Sequence, residues 1–374
     1  MAQNKDIQQI IQSIGEQYAP DKRVEVFDIK ATNRGDTLVL RGETTSESAR
    51  DELLAQVKTV TTHVKDSIRL LPDKKLGEET WGVVYNSAGI IRYAPTYSAE
   101  MVSQALMGMP VRILDKKGGW RRVQTPDKYI GWISGSVQPM TKSSLQQYVN
   151  QPKIVVTSMY AQSFERADAK SQPVSDLVAG DMIALKDTKG KFYHVVYADG
   201  REAYVQKPDA ANVNDWLKNI ELSGESIVKT AKRFMGVPYV WGGTCTKGVD
   251  CSGFTKSVYF LHGIILARDA SQQALYGKLI DEKGDFDTLQ PGDLVFFGRK
   301  ADDENPKERV VHVGIALGNK KFIHASDYIR IASFDPDDPF YDEYNTNRYL
   351  RTKRIIGEVN TKGIDEIFKN EFYK

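Results

Sequence analysis

Three short segments hold the residue types that acyl-transfer chemistry requires. Asp250-Cys251-Ser252-Gly253-Phe254 carries a thiol, His312-Val313-Gly314-Ile315 an imidazole heading an apolar run, and Phe322-Ile323-His324-Ala325-Ser326 a second imidazole. Asp250 is a good N-cap, Phe254, Val258 and Leu261 recur at helical spacing, and Gly263 supplies a stop. Cys251 is therefore expected in the first turn of a helix, where free N–H groups and the dipole favour a thiolate. Moving a thiol pKa from about 8.5 to about 6 takes roughly 3.4 kcal/mol. A helix terminus supplies at most about 2 kcal/mol, so a second positive group is needed, and an imidazolium is the usual one. The competing reading, a buried structural cysteine, fits poorly with a helix-initial place between Asp and Ser-Gly.

The two histidines must share a sheet face to act together. Gly318-Asn319-Lys320 separates their runs and reads as a hairpin turn. A two-residue loop at 319–320 pairs 315 with 324 and puts the rings on opposite faces. A three-residue loop at 318–320, or a bulge of equal effect, pairs 314 with 324. The rings then lie on one face at diagonal positions roughly 7–8 Å apart at Cα, and Gly314 leaves room between them.

The other candidates carry less chemistry. His63 and His194 lie in strand-like segments and His262 at a helix end, so packing or surface roles are expected. Cys245 precedes Cys251 by six residues; a disulfide would silence the nucleophile, and a free thiol near the site is expected. A zinc site from Cys245, Cys251, His312 and His324 lacks paired ligand spacing. No metal and no cofactor are expected.

The 374 residues exceed one compact core. Hydrophobic residues at 41% and charged residues at 27% exclude wholesale disorder. A formal charge of +2 without a basic stripe argues against nucleic acid, and no apolar stretch approaches the roughly 20 residues of a membrane span. Four regions separate. Residues 1–76 open with an amphipathic helix pattern (Ile7, Ile10, Ile11, Ile14, Tyr18) and continue as strand, strand, helix, strand. Residues 77–148 and 149–215 are short aromatic strands between turns, and residues 220–374 carry the chemistry. No secretion segment precedes Ile7, so the literal location is cytoplasmic; a processed mature form would instead belong to the cell envelope, the periplasm or the secreted fraction. A monomer is favoured.

The second region, with Gly119-Trp120-Arg121-Arg122-Val123 and Tyr129-Ile130-Gly131-Trp132-Ile133, resembles a bacterial SH3-like barrel; the third resembles one weakly, lacking the tryptophans. In the fourth, Tyr239-Val240-Trp241-Gly242-Gly243, Asp-Cys-Ser-Gly-Phe, Pro291-Gly292-Asp293-Leu294-Val295-Phe296-Phe297, His-Val-Gly-Ile and Phe-Ile-His-Ala-Ser occur in the order found in the NlpC family of cell-wall cysteine peptidases. The resemblance covers roughly 225–355. It implies an α+β multidomain chain: a papain-like α+β catalytic domain preceded by two small SH3-like barrels and a small α/β N-terminal unit. It implies Cys251 as nucleophile, His312 as general base and acid, and His324 as the residue orienting His312.

Arg268-Asp269-Ala270-Ser271-Gln272 and Ser98–Leu106 are similar to the subgroup in which the first barrel caps the groove. That likeness implies that Glu100 and Asp269 bind the ammonium of an N-terminal L-Ala with help from Tyr129. It also places Tyr239, Asp250, Ser252 and Ala270 along the substrate, Ala270 lacking the hydroxyl that some members offer the D-glutamyl carboxylate. Otherwise Glu100 is an exposed acid opening a helix at 99–106. The charged segment 299–310 reads as a solvated loop, with a place beside the leaving group as the alternative. The implied partners are peptidoglycan stem peptides, and the implied reaction is hydrolysis of the γ-D-glutamyl-L-diamino acid bond. Alternatives are a peptidase of intact cross-linked wall, a non-catalytic wall-binding protein, and an acyltransferase using the same thiol.

Overall fold

The computed structural model describes residues 2–374; Met1 of the N-terminal region lies outside the described residues. The first unit packs the helices Ala2–Tyr18 and Glu47–Val60 on a three-stranded sheet. Strands Phe27–Arg34 and Thr37–Thr44 form a hairpin turned at Gly35, whose φ of 58° suits glycine. Strand Val64–Leu70 then returns parallel to the second strand, with helix Glu47–Val60 as the crossover. Ser46 caps that helix by accepting from the Ala49 N–H, and Leu40, Leu53 and Val57 fill the core with no exposed surface.

Two seven-stranded units follow, spanning 81–140 and 153–212. Counting strands from the first of each unit, both sheets run in the order 7-1-4-5-6-2-3. The second unit is thus a strand-for-strand copy of the first despite its missing tryptophans. Val155, Leu177, Val195 and Val205 are fully buried there, so aliphatic side chains fill the interior. The first copy corrects one expectation. Residues 101–106 are not helical but form the edge strand Met101–Leu106, paired with Ala88–Arg92. Ser103 and Ala105 alternate inward at 1% and 0% exposure, and this pairing overrides the helical tendency of the isolated segment.

In the last region, an antiparallel six-stranded sheet holds, in order, Lys278–Asp281, Tyr349–Arg354, Leu294–Arg299, Arg309–Gly318, Lys321–Ser326 and Tyr328–Ser333. Helices Gly224–Lys232 and Cys251–Phe260 lie against it through Ile227, Phe254, Val258 and Phe296. This mixed α+β domain receives the first barrel on its helix side. Thr244 donates its N–H to Gln104 Oε1 at 2.8 Å, and buried Lys256 pairs with Asp127. These contacts bring the barrel edge beside the N-terminus of the Cys251 helix.

Candidate active site

Asp250 builds the start of that helix. In extended conformation, it accepts the Gly253 N–H on Oδ1 at 2.7 Å and the Gly242 N–H on Oδ2 at 3.0 Å. Arg268 forks onto the same carboxylate, with Nη2 to Oδ2 at 2.6 Å and Nη1 to Oδ1 at 3.2 Å. Its Nη1 also reaches Ser252 Oγ at 3.1 Å, and its Nε reaches Ser103 Oγ of the barrel at 3.1 Å. Only a glycine fits at 253, because a Cβ there would stand 1.9 Å from the Gly243 carbonyl oxygen.

Cys251 is buried, and the backbone N–H groups of Val313 and Ser252 point toward its sulfur. Burial, and after it the charge of Asp250, pushes the thiol up to about 12. Burial also holds His312 well below the ordinary imidazole range, with His324 and the cations Arg348 and Arg330 adding to it. The sequence suggests a thiolate favoured by the helix terminus; in the closed pocket, desolvation outweighs the dipole. Each charge alone is penalised. A thiolate and an imidazolium formed together would offset part of that cost by their attraction.

The histidines share a face as expected. Gly314 pairs with His324, yet the turn is the two-residue Asn319-Lys320 with both φ positive, and a bulge between Ala316 and Gly318 restores the register. His312 Nε2 lies 2.9 Å from His324 Nδ1, which leaves His312 Nδ1 outside that hydrogen bond. His324 is fully buried, its Nε2 has no hydrogen-bond partner, and the Asp342 carboxylate stands 3.9 Å from it. That charge favours a proton on His324 Nε2. Nδ1 of His324 is then the acceptor for His312 Nε2–H, and Nδ1 of His312 keeps its lone pair.

A cavity of about 530 Å³ opens beside Cys251 and brings together Tyr239, Asp250, Ser252, Asp269, Ala270, Glu100 and Tyr129. Glu100 Oε1 accepts the Trp241 indole N–H at 2.7 Å. Tyr129, 8% exposed, comes from the barrel, and burial raises its phenol pKa. Burial likewise raises the Asp269 carboxyl, against Arg268 and Arg23.

Two family models match the chain: the NlpC/P60 family over residues 236–354 and the bacterial dipeptidyl-peptidase Sh3 domain over residues 91–136. A γ-D-glutamyl-L-lysine dipeptidyl-peptidase of Bacillus cereus is 30% identical over 266 residues, which cover 68% of this chain and 77% of that protein. The chain belongs to the NlpC/P60 family. Dipeptidyl-peptidase 6 of Lysinibacillus sphaericus is 27% identical across 66% of this chain and 89% of its own. A crystal structure of an NlpC/P60 family protein from Bacillus cereus matches the fold with a TM-score of 0.60 at 24% identity, covering 73% of this chain and 99% of that one. The protein is accordingly a cysteine peptidase.

Sequence reasoning missed several parts of this NlpC/P60 site. Arg23 of the N-terminal unit donates from Nη1 to Asp269 Oδ2 at 2.8 Å and to Ser271 Oγ at 2.9 Å, while Asp21 holds its other nitrogens. No motif marks Arg23; it lies in the link between a helix and a strand. Asp342, the N-cap of the short helix Glu343–Asn347, stands behind His324. The segment 299–310 proves only partly a solvated loop: Glu308, Arg309 and Val310, with Val311, line the Cys251 cavity. Cys245 and Cys251 are both free and buried. His262 packs through Val258 O and Ser226 Oγ, and His194 pairs with Asp187 and Glu202. Among the described residues, no His, Cys, Asp and Glu cluster could hold a metal ion, and no helix is long and apolar enough to cross a membrane.

Two outcomes follow from these charges. Arg268→Met leaves the Asp250 carboxylate buried and uncompensated, so the unfolding free energy from denaturant titration should fall by about 3–5 kcal/mol. Burial depresses the folded His324 pKa to about 4. Its contribution is complete above its unfolded pKa of about 6.5 and is lost as pH falls toward 4, up to about 3 kcal/mol. Stability measured across that window should drop, and drop less in His324→Asn.

Proposed function

We propose that this peptidase hydrolyses the γ-D-glutamyl bond to a diamino acid in freed peptidoglycan stem peptides with an unblocked N-terminal L-Ala. One observation carries the reading. The cavity beside Cys251 is closed on one side by the first barrel, which brings Glu100, and faces Asp269 of the catalytic region, held by Arg23 of the N-terminal unit. A short substrate enters such a cavity amine first, and its ammonium meets acids that partner it. The names of the B. cereus and L. sphaericus relatives, dipeptidyl-peptidases, describe removal of a unit of this size.

In this mechanism Cys251 Sγ attacks the γ-glutamyl carbonyl as its proton passes to His312 Nδ1. Backbone N–H groups at the helix start, with Tyr239 alongside, stabilise the oxyanion. His312 then protonates the departing amine, and the γ-glutamyl thioester remains on Cys251. Water, deprotonated by the same imidazole, releases the L-Ala-D-Glu dipeptide and regenerates the thiol. His324 keeps the His312 ring in the competent tautomer throughout.

Mass spectrometry of L-Ala-γ-D-Glu-diaminopimelate digests tests the reading. The wild type should yield the dipeptide and the free diamino acid, and Cys251→Ala should yield neither while keeping its native circular dichroism. Acetylating the N-terminus removes a charged hydrogen-bonding group worth about 1.5–3 kcal/mol, so kcat/KM should fall about 10- to 150-fold. An uncut tripeptide, or cleavage indifferent to acetylation, contradicts the proposal.

A further inference from the structure

We propose that Arg23 is a specificity-determining residue: its guanidinium walls off the amine end of the substrate cavity from a second cavity behind it, and so limits how far a peptide can extend beyond its L-Ala. The inference rests on the reaction proposed above and adds a residue that no sequence motif marks. The second cavity holds about 930 Å³ where the N-terminal unit, the first barrel and the catalytic domain meet. Lys22 and Glu25 line it from the first, Lys128 from the second, and Leu275 and Tyr276 from the third. Among the described residues, Arg23 alone lines both this cavity and the one beside Cys251.

The partition between the two cavities is thin, and neighbours in sequence face opposite sides of it. Tyr129 lines the Cys251 cavity and Lys128 the other; Ser271 lines the first and Gln272 the other. Arg23 borders both, so at that point the wall is one guanidinium thick. It stands at the amine end, because its Nη1 donates at 2.8 Å to Asp269 Oδ2, the acid proposed to meet the substrate ammonium. A peptide entering amine first has the guanidinium as the next group beyond that acid.

The wall is held closed. Nε and Nη2 fork onto the two oxygens of Asp21, both at 2.8 Å, and Nη1 donates to Ser271 Oγ at 2.9 Å as well as to Asp269. Asp21 in turn accepts from the Gln272 amide at 2.7 Å. A planar fork engaged on both edges has one orientation. The main chain is pinned too: the Arg23 carbonyl accepts the Ile130 N–H, and the Val24 carbonyl accepts Gln124 Nε2, each at 2.8 Å and each from the first barrel. Swinging the side chain aside breaks the fork and takes a cation from Asp21 and Asp269 together. Length therefore joins charge in the choice of substrate. Glu100 and Asp269 select an ammonium, and Arg23 stops any residue placed before the L-Ala, although there is space behind it. Removing the guanidinium joins the two cavities and frees the Asp21 carboxylate to meet an ammonium in the second.

The experiment compares L-Ala-γ-D-Glu-diaminopimelate with the same peptide carrying one glycine on its amine, read as the ratio of kcat/KM, extended to unextended. In the wild type the ratio should be about 0.1 or less, the penalty for forcing a residue into filled space. Arg23→Ala should raise it about tenfold or more, with Gly-L-Ala-D-Glu as the released product by mass spectrometry. Arg23→Lys, which keeps a long cation beside Asp269, should raise it least. Asp21→Ala removes the fork and keeps the guanidinium, so it should raise the ratio by a smaller factor than Arg23→Ala, and it decides the question if Arg23→Ala does not fold. A wild-type ratio near one, or a ratio that stays at the wild-type value in every folded variant, overturns the inference and leaves the hydrolysis standing. If the wild type cuts neither peptide, the proposed reaction falls and the inference with it.

Discussion

The buried ion pair of Asp250 and Arg268 is the interaction on which the site depends. One carboxylate caps the Cys251 helix, pins the Gly242 loop and meets a guanidinium that is 1% exposed. Removing two charges from water costs several kcal/mol each, and that cost is tolerable only with every hydrogen bond in place. The guanidinium must therefore also find Ser252 and, across a domain boundary, Ser103. Helix start, Gly242 loop and barrel edge are fixed together through the Asp250–Arg268 pair. Such a pair contributes little net stability but strongly penalises alternative arrangements.

The same desolvation governs the thiol and imidazole. Packing Cys251 and His312 out of water makes the neutral pair the resting form and makes any net charge costly. The surroundings compensate through orientation: two backbone amides aim at the sulfur, and His324, with Asp342 behind it, fixes which nitrogen of His312 carries a hydrogen. A chain of hydrogen-bonded rings ending near a carboxylate polarises in one direction, toward taking a proton at His312 Nδ1.

Local patterns made much of this legible. Asp-Cys-Ser-Gly-Phe specified a cap and a helix, and the two imidazole runs specified a hairpin whose register could be tested by parity. The register came out as expected while the turn did not, since Asn319 and Lys320 both adopt positive φ and a bulge supplies the missing residue. Segment 101–106 failed because its partner strand decided it. The second barrel was faint because it keeps the topology of the first while Phe192 and Tyr204 stand at the strand positions of Trp120 and Trp132. Arg23, Asp342, Arg330 and Arg348 left no readable signal. Each gains its meaning from a contact made across the fold, and spacing along the chain carries no trace of such contacts.

Arg23 meets Asp269 across 246 positions of sequence. The wall proposed to receive the substrate amine is thus assembled from three regions of the chain, and its charge balance is written partly in the unit least like an enzyme. Under that proposal, a substitution at Arg23 changes the surroundings of Asp269 although it lies outside the catalytic region. A lineage could retune which peptide ends it accepts through Asp21, Arg23 or Ser271 while the thiol and its imidazoles stay untouched. The chemistry and the choice of substrate are free to evolve at different rates because they are held by different parts of the molecule.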